Sequence, residues 1–163
     1  MKSIQSFPPN RSDVYSSRTR GHVSVFLAGS IEMGLADEWQ QRVVDAFPED
    51  VTFLNPRRKD WDSSWDDNSP ELDEQINWEL ENLAEADIIF MYFDPNTKAP
   101  ITLLELGIHL EKRSNLVVCC PDGYWKKANV KSTSKRYASP VFNTFEEALK
   151  MLGEYIDYRI RFQ

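Results

Sequence analysis

Asp87-Ile88-Ile89-Phe90-Met91-Tyr92-Phe93 is the stretch that decides how this chain folds. One acid is followed by an unbroken apolar and aromatic run, which Asp94-Pro95-Asn96 stops. A strand with one wet face would alternate polar and apolar residues. A run without alternation is buried on both faces, as the central strands of parallel sheets are.

Working outward, the flanking segments read as helices. Ser69-Pro70-Glu71 is a helix start, with a cap residue, a proline in the first turn and then acids, and this helix is expected to reach about Ala86. Downstream, Pro100 opens a helix to about Lys112, and Asn115 to Cys120 is a further strand ended by Pro121-Asp122-Gly123. Upstream, His22 to Ala28 is a strand ending at Gly29-Ser30. Leu35, Trp39, Val43 and Phe47 share helical spacing. Val51 to Leu54 is a second strand, followed by a tryptophan-bearing loop from Arg57 to Ser69. Tyr124 to Arg136 reads as a loop with a short helix, Ser139 to Phe142 as a fifth strand, and Thr144 as the cap of a last helix from Phe145 to Tyr158. Strands alternating with helices imply right-handed βαβ units, hence an α/β fold with a doubly wound, five-stranded parallel sheet and helices on both faces. Ligands of such sheets bind at the carboxyl ends of the strands. These ends are Gly29-Ser30, Asn55 to Asp62, Asp94 to Pro100 and Pro121 to Asn129.

A length of 163 residues suits one domain, read here as residues 22–163 behind a polar arm, 1–21, that is flexible or lies on the surface. Hydrophobic residues at 41% and charged residues at 28% are the balance of an ordinary soluble globular protein. The net charge of −7 argues against a nucleic-acid polymer as partner, because phosphate backbones are held by clustered Lys and Arg. A small nucleotide is still compatible with a locally different site. No apolar run is long enough to span a bilayer, and Met1 to Arg20 lacks the apolar core of a signal peptide. Cys119 and Cys120 are neighbours in a strand and point to opposite faces, so a disulfide between them is not expected and a cytoplasmic setting fits.

Two acids interrupt apolar helical stripes. Ile101, Leu104, Glu105 and Ile108 share one helical face, and Leu72, Ile76, Glu79 and Leu83 share another. Each acid, taken alone, reads first as a solvent-facing or ion-paired edge residue. Taken together they suggest a pair of carboxylates in one cleft, one ionised and one protonated, as glycosidic chemistry uses. Gly29-Ser30, between a strand and a helix, offers backbone N–H groups to an anion or a sugar hydroxyl, or is a plain tight turn. Arg57, Arg58, Trp61, Asp62 and Trp65 could stack on and hydrogen-bond to a flat base, or form a lid packed on its own tryptophans. His22 and His109 have no metal-ligand spacing and no Cys/His cluster suggests zinc, so no metal is expected, and glycosidic chemistry needs no organic cofactor, because the leaving base has only to be protonated and the oxocarbenium-like state stabilised by a carboxylate.

Phe26-Leu27-Ala28-Gly29-Ser30, Asn55-Pro56-Arg57-Arg58, Trp78-Glu79-Leu80 before Ala86-Asp87, Leu104-Glu105-Leu106-Gly107 and Asp122 to Val130 occur in the order seen in the nucleoside 2-deoxyribosyltransferase family. The chain resembles its nucleoside 2-deoxyribosyltransferase-like branch over about residues 23 to 150. The resemblance implies a flavodoxin-like fold and cleavage or transfer at the N-glycosidic bond of a nucleoside or nucleotide through a glycosyl-glutamate intermediate. It implies that Glu105 is the nucleophile and Glu79 the residue assisting proton transfer, where the family usually has Asp. Phe26 falls near a family Tyr, and Ala99 stands where the family often has Asp. Gly29, Ser30 and Asn129 would bind the sugar, and Arg57 and Asp62 the base. Asn129 would reach a neighbouring subunit's site, which implies a homo-oligomer. Glu32-Met33-Gly34 replaces the basic residues of a phosphate-dependent sister branch, so a 5′-phosphate is less favoured. The competing expectations are a nucleotide-binding module without catalysis, and an N-glycosidase for a nucleotide or an NAD-like molecule.

Overall fold

The computed structural model describes residues 1–9, 19–31, 38–58, 60, 62–112 and 114–162. Their strands are β1 (Ile4–Ser6), β2 (Val23–Gly29), β3 (Val51–Leu54), β4 (Ile88–Tyr92), β5 (Leu116–Cys119) and β6 (Val141–Phe142). The helices are α1 (Trp39–Ala46), α2 (Pro70–Glu85), α3 (Pro100–Glu111), α4 (Lys127–Arg136) and α5 (Phe145–Arg161). All strands pair in parallel in the order β1-β3-β2-β4-β5-β6. Without β1 this is the 2-1-3-4-5 order of flavodoxin-like folds.

Among the described residues the sheet therefore has six strands where the sequence predicts five. The addition is β1, in the segment read as an arm. Ile4, Gln5 and Ser6 pair with Thr52, Phe53 and Leu54, and the Asn55 amide donates to Gln5 Oε1 at 3.1 Å. Three residues with one large apolar side chain carry too little periodicity to be read as a strand.

The apolar run of β4 is buried throughout, and its alternate side chains feed two separate cores. Ile89, Met91 and Phe93 pack with Trp78 and Leu83 of α2, Leu106 and Leu110 of α3, and Val130 of α4. Ile88, Phe90 and Tyr92 pack on the opposite face with Trp39 and Val43 of α1 and Leu152 and Ile156 of α5. The expected double winding follows from this split. Cys119 and Cys120 fall into opposite cores as free thiols. Burial raises them to about 12 and about 11, so both are inert at neutral pH.

Some boundaries moved. The start expected at Leu35 lies outside the described residues, and α1 is described from Trp39. The stretch read as loop with a short helix contains the ten-residue α4, which buries only Val130 and Ser134 and so shows little apolar periodicity. Ser69 precedes α2, but its hydroxyl accepts from Asp66 N at 2.9 Å and caps nothing. Thr144 does cap α5, in a reciprocal box with Glu147. His22 and His109 are structural: their Nδ1 atoms meet Thr52 Oγ1 at 3.2 Å and Ser114 Oγ at 3.1 Å. Among the described residues no helix is long and apolar enough to cross a membrane.

Candidate active site

The chain leaves β2 toward β3 on one side, and β4 pairs on the other, so the strand order reverses between β2 and β4. A crevice forms at the carboxyl ends of strands at such a point. Here it is a cavity of ≈ 640 Å³, walled by β2, the residues after β3, α2 and α3. That volume suits a small organic ligand. Phe26 and Gly29 come from β2, Arg57 and Arg58 from the turn after β3, Gln75 and Glu79 from α2, Ala99 from the residue before α3 and Glu105 from the middle of α3.

Glu79 and Glu105 thus open into one cavity. Burial pushes the Glu105 carboxyl up to about 8, and the neighbouring charge of Glu79 acts in the same direction. Burial also raises Glu79, opposed by the Gln75 amide, which donates to Glu79 Oε1 at 2.6 Å. The same Gln75 nitrogen donates to the Pro56 carbonyl at 3.0 Å, tying α2 to the turn after β3. Two carboxyls that repel one another in a poorly hydrated site cannot both ionise readily near pH 7, so the pair tends to keep one proton. That leaves one group able to donate a proton and one to carry negative charge.

The face of α3 that carries Glu105 is not the core-facing one that its apolar pattern suggests. Thr102, Leu106, His109 and Leu110 face inward, while Ile101, Leu104 and Ile108 are 60%, 62% and 39% exposed and border the cavity. The helix is apolar on both sides, so periodicity alone does not tell the sheet side from the cavity side. On α2, Ile76 and Leu80 are exposed at the same rim. A Cβ added to Gly107 would meet nothing within 4 Å, so close packing does not require that glycine.

The other expected site residues divide. Phe26, Gly29 and Arg57 line the cavity. Phe26 is fully buried and its ring lies 5.9 Å from that of Trp78. Ser30 is not in the lining. Its hydroxyl accepts from Asp94 N at 3.1 Å and from Thr97 Oγ1 at 2.6 Å, which binds the loop after β4 to the end of β2. Asp62 is exposed and outside the lining, with its carboxylate accepting from Ser64 N at 2.9 Å. Asn129 is exposed on α4, also outside the lining. Trp61 and Glu32-Met33-Gly34 lie outside the described residues.

Gln75 and Arg58 have places in the wall that sequence periodicity does not single out. Gln75 stands one helical turn before Glu79, a spacing from which the contact could have been read. Ala99 lines the cavity in the left-handed region, with φ 43°. Such a conformation is costly for a residue with a Cβ and tends to occur at functional sites. Among the described residues no His, Cys, Asp or Glu cluster could hold a metal ion.

A search of curated proteins finds no match. Among solved structures, one from Enterococcus faecalis V583, described as a conserved protein, superposes with a TM-score of 0.62. It is 15% identical and covers 85% of this chain and 99% of its own, a likeness of fold alone. The family model described as nucleoside 2-deoxyribosyltransferase like matches residues 22–124, which is more than half of the chain and contains β2 through β5, α2 and α3. With Glu79 and Glu105 inside that match, the chain belongs to the nucleoside 2-deoxyribosyltransferase-like family, a family of nucleoside glycosyl transfer.

Proposed function

We propose that the protein cleaves or exchanges the N-glycosidic bond of a nucleoside-type substrate through a covalent glycosyl-Glu105 intermediate. The observation that carries this is the convergence of Glu79 and Glu105 on one cavity at the strand-order reversal. When the pair's proton sits on Glu79, the Glu105 carboxylate attacks C1′. The C1′–N bond breaks with its electron pair going to the base, and Glu79 gives that nitrogen its proton. Water or a second base then attacks C1′ and releases Glu105, with Glu79 taking up the incoming proton. Gln75 holds the Glu79 carboxylate in place through the second step.

One observation favours a second reading with the roles exchanged. Glu105 is the carboxyl raised to about 8, so it holds the proton better. Glu105 would then protonate the base, and Glu79 would activate water or attack C1′ itself. A 2-deoxy-2-fluoro-nucleoside separates the two readings, because the fluorine slows release of a covalent sugar. Incubation, proteolysis and mass spectrometry are expected to find the fluorosugar on Glu105. A label on Glu79 would support the exchanged roles, and the absence of both label and base release from any nucleoside would sink covalent glycosyl transfer.

The apolar rim supports a homo-oligomer. Ile76, Leu80, Ile101, Leu104 and Ile108 form an exposed border to the cavity, of the kind that marks an interaction surface. Asn129 lies outside its own cavity, so a sugar contact from it requires a second copy covering this rim. Light scattering on the purified chain is expected to give a dimer or larger assembly, and Leu104→Asp to shift it at least tenfold toward monomer. A monomer at tens of micromolar would contradict this. The setting expected is the cytoplasm, where free nucleosides and nucleotides are available and buried Cys119 and Cys120 stay reduced.

A further inference from the structure

The wall opposite in charge to the two glutamates is made by Arg57 and Arg58. Arg58 is 8% exposed. Its Nε and Nη2 donate to the two carboxylate oxygens of Asp60 at 2.9 and 2.8 Å, and its guanidinium lies 4.9 Å from the Trp65 ring. Asp60 is itself a surface residue, with a side chain 71% exposed. The third nitrogen, Nη1, is buried and among the described residues has no hydrogen-bond partner. Buried guanidinium N–H groups without an acceptor are rare and call for one. Arg57 stands beside it, with Nη1 at 3.4 Å from Gln40 Oε1.

Arg58 does not serve to neutralise the acids. Burial and Gln75 set the Glu79 carboxyl, and burial and Glu79 set that of Glu105. Arg58 answers instead to Asp60 and, more weakly, to Glu74 and Glu71. The cavity therefore has an acidic pole and a basic pole. A planar guanidinium fork with an unused edge matches phosphate oxygens. We propose that Arg58, with Arg57, is an anion subsite that holds a phosphate group of the substrate, so that the site prefers a nucleotide to the neutral nucleoside. This rests on the glycosyl-transfer reading for the rest of the ligand. It also reverses the expectation drawn from Glu32-Met33-Gly34, because the basic residues come from the turn after β3.

Titration calorimetry at low salt tests it with the four 2′-deoxynucleosides and four ribonucleosides and with their 5′- and 3′-monophosphates. The nucleotide preferred by the site is expected to bind at least tenfold tighter than its nucleoside, and Arg58→Gln to remove that difference while nucleoside binding persists. Asp60→Asn, at an exposed position, is expected to tighten nucleotide binding severalfold by removing the competing carboxylate. A purely structural Arg58–Asp60 pair would not give that direction. If Arg58→Gln fails to fold, Asp60→Asn decides. Equal affinity for nucleotide and nucleoside, binding of neither, a preference surviving Arg58→Gln, or weaker binding in Asp60→Asn would each overturn the subsite. Base release followed in parallel keeps the two readings apart. Turnover of neutral nucleosides without any phosphate preference removes the subsite alone. Phosphate-dependent binding with no base release from any compound removes glycosyl transfer and leaves the subsite standing.

Discussion

Glu105→Gln is expected to lower turnover by at least about a thousandfold and to make the protein more stable at pH 8. The loss follows from removing a group that bonds to, or protonates, the reacting substrate. Such groups contribute on the order of 10²–10⁴-fold as general acids and more as nucleophiles. The gain follows from burial. The folded chain raises the Glu105 carboxyl to about 8, while the unfolded chain ionises near the ordinary glutamate value. Below that ordinary value both states hold the proton and the group costs nothing. Between the ordinary value and about 8 the unfolded state gives up its proton and the folded state keeps it. Stability therefore falls as pH rises through this window.

The fall is at most about 1.4 kcal/mol for each pH unit of the window, which puts the limit at about 5 kcal/mol by pH 8. The cavity is open to water, and screening reduces this to about 1–3 kcal/mol. Gln keeps the shape and removes the titration. Thermal unfolding should then place the variant about 3–8 °C above the native chain at pH 8, with a much smaller gap at pH 5. A gap independent of pH would mean that the carboxyl is not desolvated. Turnover within tenfold of the native rate would remove Glu105 from either role in the chemistry.

The layout of the sheet is legible in the sequence because burial on two faces leaves a strong mark. Ile88 to Phe93 and Leu116 to Cys119 are apolar at every position, and their alternate side chains enter the two cores. The acids are legible for a related reason: Glu79 and Glu105 stand out within apolar helical stripes. What those stripes face is not legible. Ile101, Leu104 and Ile108 are apolar at a cavity rim, and a rim and a core write the same letters. Arg58 and Gln75 act through tertiary neighbours. Asp60, Trp65 and Pro56 turn them into wall residues, and no period in the sequence encodes that. Ser30 shows the reverse. Its position after β2 suggests a ligand contact, but Asp94 N and Thr97 have taken the hydroxyl.

Gly29→Ala is expected to destabilise the fold by about 3 kcal/mol or more and to lower the midpoint of thermal unfolding by about 6–12 °C. Gly29 ends β2 at φ 152° and pairs with Tyr92 of β4. A Cβ there would lie 2.4 Å from the Tyr92 carbonyl oxygen, 3.1 Å from the Tyr92 nitrogen and 2.9 Å from Trp39 Cζ2. None of these can retreat cheaply. The Tyr92 carbonyl accepts from Ser30 N at 3.1 Å, and Trp39 is fully buried, with its indole N–H donating to the Ser30 carbonyl at 3.0 Å. The strain would part β2 from β4 at the reversal of strand order, where Gly29 walls the cavity, so activity should fall even at temperatures where the variant stays folded. Gly107→Ala is the control. Its added methyl meets nothing within 4 Å in the middle of α3, and replacing glycine by alanine inside a helix is worth about 0.5–1 kcal/mol of added stability. The same chemical change is thus expected to carry opposite signs at the two glycines. Unfolding in urea measures both. Equal shifts would mean that β2 and β4 do not approach as closely as the Gly29–Tyr92 pairing requires.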